Sequence, residues 1–288
     1  MVKITKVGLF GKFNDSSVAG AIAQVKAVLE DKNLSVLLGN TTSTKIAGAR
    51  IDDHDQPLQE VIDLAIAVGG DGTMLNVARE LSNHDVLAIG VNLGRLGFLT
   101  DIALSDLDTS MSSILKGDYA IERRTMLQCQ VTQNGTQVCS GISLNDMVIS
   151  KGNTGRLIEF EIWVNGQFVS QPRSDGLILS TPTGSTAYAL SAGGPIIYPN
   201  LPVISMSPIC PHTLSNRPII LDENDKVEIT ALKVHEAPAN LAFDGVIAAQ
   251  LKGDETIAIK RAAKKLKMVR IKGFNHFETL HSKLGWNG

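Results

Sequence analysis

The chain has few cysteines and no cluster with the spacing of metal ligands. Its 288 residues include 3 cysteines, an odd number without a C-x-x-C pair, so we interpret Cys129, Cys139 and Cys210 as reduced, mostly buried thiols. The acidic run at 52–55 has no wider set of ligands around it, and we interpret it as a solvated loop. Neither a disulfide framework nor a protein-bound metal site is therefore expected.

Charge of one sign and long apolar runs are also scarce. A formal net charge of −2 creates no general field that would attract nucleic acid or an anionic membrane, which favours a small-molecule partner. No stretch approaches the roughly 20 apolar residues of a membrane span, and the first residues lack the apolar core and cleavage site of a signal peptide. We therefore expect a cytoplasmic protein that binds neither nucleic acid nor membranes.

The first 120 residues alternate between strand and helix patterns. Short apolar runs predict strands at 4–10, 34–38, 64–68 and 86–91. Apolar residues at helical spacing predict helices at 18–29 and 104–115, with Asp15-Ser16 as a candidate cap for the first helix. This order predicts an α/β domain with a parallel sheet at residues 1–120.

Beyond residue 120 the helical periods largely disappear. Runs of β-forming residues are separated by the turn pairs Asn134-Gly135, Gly152-Asn153 and Asn165-Gly166, and all but one of the 10 prolines follow residue 170. We predict a mainly β domain at 121–272 and a C-terminal extension at 273–288 that packs on the first domain. The basic stretch at 260–272 is interpreted as a solvated face of a sheet.

One segment combines a buried strand, a glycine loop and a helix. The apolar run 64–68 ends at residues 69–73, Gly-Gly-Asp-Gly-Thr, and an apolar stripe at helical spacing follows. Such a loop directs backbone N–H groups towards an anion such as phosphate. Phosphates would repel Asp71 unless a metal or a hydroxyl lay between them, which indicates chemistry at a phosphate. Neither the Walker pattern nor G-x-G-x-x-G is present, and an ordinary turn capped by Asp71 is the alternative.

Two further motifs carry groups suited to a nucleotide. Asn145 offers a donor and an acceptor for an adenine edge or a ribose, and Asp146 offers acceptors for ribose hydroxyls; as a plain turn, the pair would have no such role. The string 180–188, Ser-Thr-Pro-Thr-Gly-Ser-Thr-Ala-Tyr, supplies hydroxyls and backbone N–H groups around a small turn, and the ring of Tyr188 can stack on a base. The alternative for this string is a helix start capped by one of its hydroxyl residues.

These motifs resemble those of a known family. The loop at 69–73 resembles one in a kinase superfamily that includes NAD kinases, diacylglycerol and sphingosine kinases and, more distantly, 6-phosphofructokinases. Together with Asn145-Asp146 and the string at 180–188, it resembles the three signature motifs of the NAD kinase family, and the similarity extends to Leu284-Gly285-Trp286. A charged residue at Arg173 resembles the Gram-negative branch. The resemblance implies a two-domain fold of the NAD kinase and diacylglycerol kinase type.

The resemblance also implies an activity, the phosphorylation of the 2′-hydroxyl of the adenosine ribose of NAD by ATP or polyphosphate to give NADP. Asp71 would be the proton acceptor, with Gly72 alongside. A divalent metal, Mg²⁺, would be carried with ATP and not by protein ligands. The family further implies a homo-oligomer, a dimer or a tetramer, in which neighbouring subunits complete the site.

The remaining site residues are implied by their positions in the motifs. Asn145 and Asp146 would hold the adenosine, Arg173 and Asp175 would provide flanking contacts, and Arg156 would make a further contact. The segment that would wrap the nucleotide consists of Thr186, Ala187, Tyr188, Ala189, Leu190 and Ser191.

Two other functions stay open on the sequence alone. A lipid kinase of the diacylglycerol type would share the glycine loop, but the string at 180–188 and the absence of an evident membrane-docking stretch argue against it. A nucleotide sensor without turnover would have no use for the Asp71 carboxylate beside phosphates. Val246 departs from the family pattern, which often has Gln after Asp244-Gly245, so no ligand contact is assigned to it.

Overall fold

The structure is a computed structural model that describes residues 3–11, 16–40, 42, 46–94, 96–152, 156–213, 215–232 and 238–286, without the side chains of residues 16 and 17. Asp15 of the predicted helix cap and Asn153 of a predicted turn lie outside these residues. The chain divides into two compact units, the first formed by Met1–Arg123 with Leu266–Gly288 and the second by Arg124–Lys265.

The elements follow one another in an order that differs between the two units. The helices are α1 (Ser16–Asp31), α2 (Leu58–Val61), α3 (Asp71–Leu81), α4 (Leu107–Leu115), α5 (Tyr188–Ser191) and α6 (His276–Leu284). The strands are β1 (Lys6–Gly11), β2 (Ser35–Leu38), β3 (Leu64–Val68), β4 (Leu87–Asn92), β5 (Ile102–Ala103), β6 (Tyr119–Arg124), β7 (Leu127–Gln133), β8 (Thr136–Ser143), β9 (Asp146–Lys151), β10 (Ile158–Val164), β11 (Gln167–Ser170), β12 (Arg173–Ser174), β13 (Gly176–Ser180), β14 (Val203–Ile209), β15 (Ile219–Asp222), β16 (Val227–Leu232), β17 (Ala239–Phe243), β18 (Val246–Leu251), β19 (Glu255–Arg261) and β20 (Leu266–Ile271).

The first unit is built on one sheet with the strand order β2-β1-β3-β4-β20-β6, and β5 pairs with β4. The pairs β1–β2, β1–β3 and β3–β4 are parallel. Every residue of β3 is buried; Leu64, Ile66 and Val68 share a core with α1 and α4, while α3 packs on β3 and β4 through a separate buried stripe. The predicted α/β domain with a parallel sheet is confirmed.

The second unit is a β-sandwich. One sheet has the order β11-β10-β16-β19-β7-β8, with β12 paired to β10, and the other has the order β15-β14-β13-β9-β17-β18. Strands such as β10 and β16 alternate between fully and partly buried residues. Inward side chains of both sheets, among them Phe160 of one and Ile149 of the other, share one core. The predicted mainly β domain is confirmed.

Two predicted turns join neighbouring antiparallel strands. Asn134-Gly135 connects β7 to β8, and Asn165-Gly166 connects β10 to β11. In both pairs the Asn and the Gly have positive φ, 51° and 79° in the first pair and 50° and 76° in the second. This is the geometry of a type I′ turn, which Asn-Gly adopts with little strain, so both turn predictions are confirmed.

The compact units differ from the sequence-based division near the C-terminus. We had expected the β domain to extend to residue 272, but β20 pairs in parallel with β4 and belongs to the first unit, as does α6. Met268 and Val269 of β20 are fully buried there. An apolar strand pattern gives no information about which sheet the strand joins, so periodicity could not reveal this crossing.

Two further sequence interpretations are wrong in part. Arg270 was assigned to a solvated face, but its side chain is 3% exposed and forms ion pairs with Asp101 and Glu122. Of the cysteines, Cys129 is buried, and burial raises the pKa of its thiol to about 12, whereas Cys210 is exposed. No helix within the described residues has the length and apolarity to cross a membrane.

Candidate active site

The glycine loop joins β3 to α3 in the first unit. Gly69 has a φ of 149°, and a Cβ there would overlap Thr73 Oγ1, so both conformation and space require glycine. The Gly70 carbonyl accepts hydrogen bonds from the N–H groups of Thr73 at 3.0 Å and Met74 at 3.3 Å. A Cβ on Gly70 or Gly72 would meet no described atom within 4 Å. The loop thus presents open backbone at the start of a helix, the arrangement that binds phosphate.

Asp71 is the first residue of α3, and three donors from one segment hold its carboxylate. Oδ2 accepts the Phe98 N–H at 3.0 Å, and Oδ1 accepts the Leu99 N–H at 3.0 Å and the Thr100 hydroxyl at 3.4 Å. The N-cap of α3 is Gly70, so Asp71 does not cap the helix as the alternative interpretation required. A carboxylate has about four lone-pair sites. Among the described residues, Oδ2 therefore retains a site that can accept a further hydrogen.

Two glycines let this segment approach Asp71. A Cβ on Gly97 would overlap Asp71 Oδ1 and Thr100 Oγ1, and a Cβ on Gly90 of β4 would lie 2.5 Å from the Leu99 carbonyl oxygen. The Gly97 N–H also donates to the Thr100 carbonyl at 3.1 Å. The chain after β4 is thus shaped around the Asp71 carboxylate.

On its other side the same segment contacts a buried arginine. Arg270 donates to the Phe98 carbonyl at 3.4 Å and pairs with Asp101 at 2.9 Å and Glu122 at 3.0 Å. Its guanidinium lies 4.3 Å from the centre of the Phe274 ring. Burial raises the pKa of Asp101 above its ordinary value, and the charge of Arg270 opposes that shift. Arg270 therefore offsets the negative charges of two carboxylates and holds in place the segment that orients Asp71.

In the second unit, Asn145 and Asp146 lie at the start of β9, and hydroxyl groups bind the backbone carbonyls beside them. The Leu144 carbonyl accepts the Thr181 hydroxyl at 2.5 Å. The Asn145 carbonyl accepts the Ser180 hydroxyl at 3.2 Å and the Thr181 N–H at 2.9 Å. These bonds join the Asn–Asp pair to the start of the string at 180–188.

The N–H groups of the same three residues point at one carboxylate. Asp244 Oδ2 accepts the Leu144 N–H at 3.0 Å, and Oδ1 accepts the N–H groups of Asn145 at 2.8 Å and Asp146 at 3.2 Å. The Asp244 N–H in turn donates to the Asp146 carbonyl at 3.0 Å. Asp244 and Gly245 form the turn between β17 and β18, with φ of 46° and 78°. Asp244 thus holds the pair from the neighbouring strand of the sheet.

Asp146 is 4% exposed, and its surroundings disfavour a negative charge. Burial and, next, the charge of Asp244 raise the pKa of Asp146 to about 7, against the opposing effect of a hydrogen bond from the Tyr188 N–H. Near neutral pH, Asp146 therefore interconverts between a carboxylic acid and a carboxylate. The contact with Tyr188 places the Asn–Asp pair beside the start of α5.

The string at 180–188 forms a tight 3-10 turn, Thr183–Thr186, followed by α5. A Cβ on Gly184 would overlap the Asn145 carbonyl, so glycine is required for this approach. The Ser185 hydroxyl donates to the Pro182 carbonyl at 2.7 Å and accepts the Ile197 N–H at 3.0 Å, and neither the turn nor α5 has a side-chain cap. The string therefore serves to pack its turn against the Asn–Asp pair.

The residues predicted to wrap the nucleotide differ in exposure. Tyr188 is 46% exposed, which leaves its ring accessible to a ligand. Ser191 is exposed, and Thr186, Ala187 and Leu190 are half-buried. Ala189 is buried against the sheet with Val148 and Ile178, so its side chain faces the core.

Asp175, and with it Arg173 two residues earlier, lies apart from the Asn–Asp pair within this unit. Asp175 pairs with Lys151 at 2.6 Å, and Lys151 is at the opposite end of β9 from Asp146, about 17 Å away at the rise of an antiparallel strand. Arg173 and Arg156 are exposed. The fold of this unit therefore brings together Asn145, Asp146 and the start of α5, and leaves Arg173 and Asp175 separate from them.

The described residues contain no group of three or more His, Cys, Asp or Glu side chains that could hold a metal ion. Asp71 is already bound by three donors. Within the described part of the chain, protein side chains therefore form no cage for a resident metal; Mg²⁺ commonly binds largely through the phosphates of a ligand.

We did not identify Asp244 or Arg270 as parts of the site from the sequence. Asp244-Gly245 has the signature of a hairpin turn, but no local pattern indicates that its carboxylate reaches N–H groups about a hundred residues earlier in the chain. For Arg270 the sequence offers one indication, an arginine between the apolar residues of β20. Such a residue is unusual in a buried strand.

The first unit combines a parallel α/β sheet with a glycine loop before a helix. The second unit is a β-sandwich in which Asp244 holds the backbone of the Asn–Asp pair. These are the two parts of the kinase class that the motifs resemble. Known proteins of this class match both units. Residues 7–119 match the ATP-NAD kinase N-terminal domain. Residues 144–271 match the ATP-NAD kinase C-terminal domain.

Relatives match along the whole chain. NAD kinase from Teredinibacter turnerae is 39% identical over 287 residues, which is 99% of this chain and 98% of the relative. NAD kinase from Azoarcus sp. is 40% identical over 284 residues, 98% of this chain and 96% of the relative. The solved structure of yeast NADH kinase complexed with NADH has a TM-score of 0.86 at 25% identity, covering 100% of this chain and 89% of that one. An NAD kinase from Archaeoglobus fulgidus in complex with ATP has a TM-score of 0.75 at 25% identity, covering 99% and 100%. The chain belongs to the NAD kinase family.

Proposed function

We propose that this chain transfers the terminal phosphoryl group of ATP to the 2′-hydroxyl of the adenosine ribose of NAD, giving NADP. The observation that carries the proposal is the state of Asp71 in a member of this family: three donors fix its carboxylate beside the open glycine loop, and one oxygen retains an acceptor site. Similar solved structures hold NADH in one case and ATP in another, which supports a dinucleotide and ATP as the two substrates.

Asp71 Oδ2 is the proton acceptor in this proposal. The ribose oxygen forms a bond to the terminal phosphorus, the bond from that phosphorus to the leaving ADP oxygen breaks, and the hydroxyl proton passes to Oδ2. Phosphoryl transfer asks of the protein mainly positioning and charge stabilisation. The Phe98, Leu99 and Thr100 donors supply the positioning, because they prevent the carboxylate from rotating away.

The second unit holds the nucleotide in this proposal. The Asn145 amide binds an adenine edge or a ribose, and the ionised form of Asp146 accepts ribose hydroxyls. The accessible ring of Tyr188 stacks on a base, and the segment 186–191 lines the nucleotide. The backbone bonds to Asp244 and Thr181 support these roles, since they engage the main chain of the Asn–Asp pair and not its side chains.

The phosphoryl donor is the Mg²⁺ complex of ATP, or polyphosphate, and the metal enters as part of that substrate. The open backbone at Gly70 and Gly72, at the positive end of α3, is suited to the donor phosphates.

We also infer a homo-oligomer, a dimer or a tetramer, in the cytoplasm. The distance of Arg173 and Asp175 from the Asn–Asp pair within one unit supports roles for these two residues where a neighbouring subunit completes the site, with Arg156 as a further contact. Sedimentation of the purified protein, with and without NAD, would determine the assembly. A monomer under all conditions would contradict this part of the proposal.

The test is NADP formation from NAD and Mg-ATP, compared between wild type, Asp71→Asn and the control Asp108→Asn. Asp108 is an acidic residue in the first turn of α4 and is exposed, so the control makes the same substitution at another helix start of the same unit. Asp71→Asn should lower kcat by about 10²–10⁴ if general-base catalysis is lost, with the Kd for NAD within a few-fold. Asp108→Asn should match wild type.

The folded fraction must be measured in the same samples. An amide NH₂ at position 71 would face a backbone N–H, which we expect to destabilise the first unit by about 1–3 kcal/mol. Turnover of folded Asp71→Asn near the wild-type value would remove Asp71 from the chemistry. A wild-type protein that makes no NADP, or that phosphorylates diacylglycerol in its place, would refute the proposed function itself.

A further inference from the structure

Among the described residues, three Asx-Gly turns have closely similar conformations, and one of them differs in what its side chain contacts. The turn pairs Asn134-Gly135 and Asn165-Gly166 have first-residue φ of 51° and 50°, and Asp244-Gly245 has 46°. Asn is therefore sufficient for this backbone geometry in the chain, as is general for type I′ turns. The carboxylate of Asp244 is not needed to form its own turn.

The Asp244 carboxylate accepts hydrogen bonds from the N–H groups of three consecutive residues, Leu144, Asn145 and Asp146, at 3.0, 2.8 and 3.2 Å. Hydrogen bonds to an ionised acceptor are roughly twice as strong as neutral ones. An amide at this position would offer one oxygen to three donors. At least one N–H would then lose its partner or face the amide nitrogen.

We propose that Asp244 is a positioning residue for NAD binding: its carboxylate fixes the backbone of Asn145 and Asp146, and its negative charge acts on the Asp146 side chain. This inference rests on the proposed function, because it takes NAD as the ligand of the Asn–Asp pair. It goes beyond that function by assigning a role to a residue outside the three motifs.

The effect of the Asp244 charge on the Asp146 carboxyl follows from the groups around Asp146. The Asp244 carboxylate comes from the β17–β18 turn, the Tyr188 N–H from the start of α5, and the β13 register partner is the neutral Ser180. Burial and the Asp244 charge both favour the protonated acid. If the ionised form accepts the ribose hydroxyls, NAD affinity should rise with pH through a midpoint near the pKa of Asp146, about 7. Removal of the Asp244 charge should move this midpoint to lower pH.

The experiment measures the Kd for NAD by calorimetry from pH 5.5 to 9 for wild type, Asp244→Asn, Asp146→Asn and the control Asp225→Asn. Asp225 is a turn carboxylate of the same unit that accepts the Asp222 N–H at 3.0 Å, remote in the chain from the motifs. At the alkaline end, where Asp146 is ionised in both proteins, Asp244→Asn should bind NAD about tenfold more weakly or worse, as the loss of one charge-assisted hydrogen bond predicts. Its midpoint should be lower than that of wild type, and Asp225→Asn should match wild type in both respects.

A purely structural role would lower the melting temperature of Asp244→Asn but leave its Kd and midpoint unchanged well below that temperature, and this result would overturn the inference. If Asp244→Asn does not fold, wild type is compared with Asp146→Asn. The inference would also be overturned if the NAD affinity of wild type shows no step near pH 7, or if the step persists in Asp146→Asn. Wild type that binds no NAD at any pH would refute the proposed function, and is thereby distinguishable from failure of the inference.

Discussion

Adding one methyl group at Gly97 should displace the Asp71 carboxylate. The Cβ of Gly97→Ala would overlap Asp71 Oδ1 and Thr100 Oγ1. The carboxylate must then rotate or the segment at 98–100 must withdraw. Either response breaks the hydrogen bonds to Oδ1, from the Leu99 N–H and the Thr100 hydroxyl.

The size of the effect follows from these contacts. Overpacking typically costs about 1–3 kcal/mol, and loss of a hydrogen bond to a charged group adds about 1.5–3 kcal/mol. We expect the first unit to lose about 2.5–6 kcal/mol of stability, which corresponds to a fall in Tm of roughly 5–25 °C for a unit of this size. Misplacement of a reacting group by about 1 Å can lower the rate 10²-fold, so kcat should fall by roughly that factor.

The matched control is Gly94→Ala in the same loop, because a Cβ on Gly94 would meet no described atom within 4 Å. Both variants should be assayed for NADP formation at a temperature where circular dichroism shows them folded, with the Kd for NAD measured alongside. Gly97→Ala should lose turnover and keep its Kd within about twofold, while Gly94→Ala should keep both, since surface substitutions usually change stability by about 0.5 kcal/mol or less. Wild-type turnover and Tm in Gly97→Ala would refute the proposed fixation of Asp71.

Three further perturbations test other parts of the proposals. Tyr188→Ala should weaken NAD binding by about 1–3 kcal/mol, the usual value of a stacked base; Tyr198→Ala, equally exposed at 46%, is the control, and equal affinities of the two variants would argue against stacking. Exhaustive chelation should abolish turnover, because uncomplexed ATP would be repelled by Asp71, and full activity in the chelator would contradict a Mg-ATP substrate. Arg270→Met should destabilise the protein by about 3–5 kcal/mol, because it removes the partner of the buried Asp101 carboxylate. Burial already raises the pKa of Asp101, so without Arg270 the ionised form of Asp101 is the one that destabilises the fold. The loss of stability should therefore grow as pH rises and shrink as pH falls. A fall in Tm that is independent of pH would contradict that reasoning.

The parts of the fold that were predictable are those specified by residues close together in the chain. The run at β3 and the stripe of Met74, Val77, Ala78 and Leu81 on α3 are all buried as their periods require. The two Asn-Gly turns have the positive φ that those residues favour. In each case local conformation and burial follow from the same short segment.

The parts that were not predictable depend on contacts between distant segments. Arg270 belongs to a basic stretch that resembles a solvated face, and its burial follows only from Asp101 and Glu122, which lie far earlier in the sequence. The pair Asp244-Gly245 predicts only a turn, and the contact of Asp244 with Asn145 spans 99 positions. Since a single sequence carries no record of such pairings, the residues that orient the candidate site were harder to find than those that would touch the ligand.

The position of β20 between β4 and β6 in the first sheet has a consequence for how the protein is made. The ribosome must synthesise all of Arg124–Lys265 before β20 emerges. The Leu87–Ala88 part of β4, which pairs with β20, therefore lacks that partner while the second unit, which is continuous in sequence, can already fold. At about 5–20 residues per second this interval lasts on the order of ten seconds. An exposed strand edge is a site for mispairing with other chains, so the nascent first unit is the part of this protein that we expect to need chaperone protection.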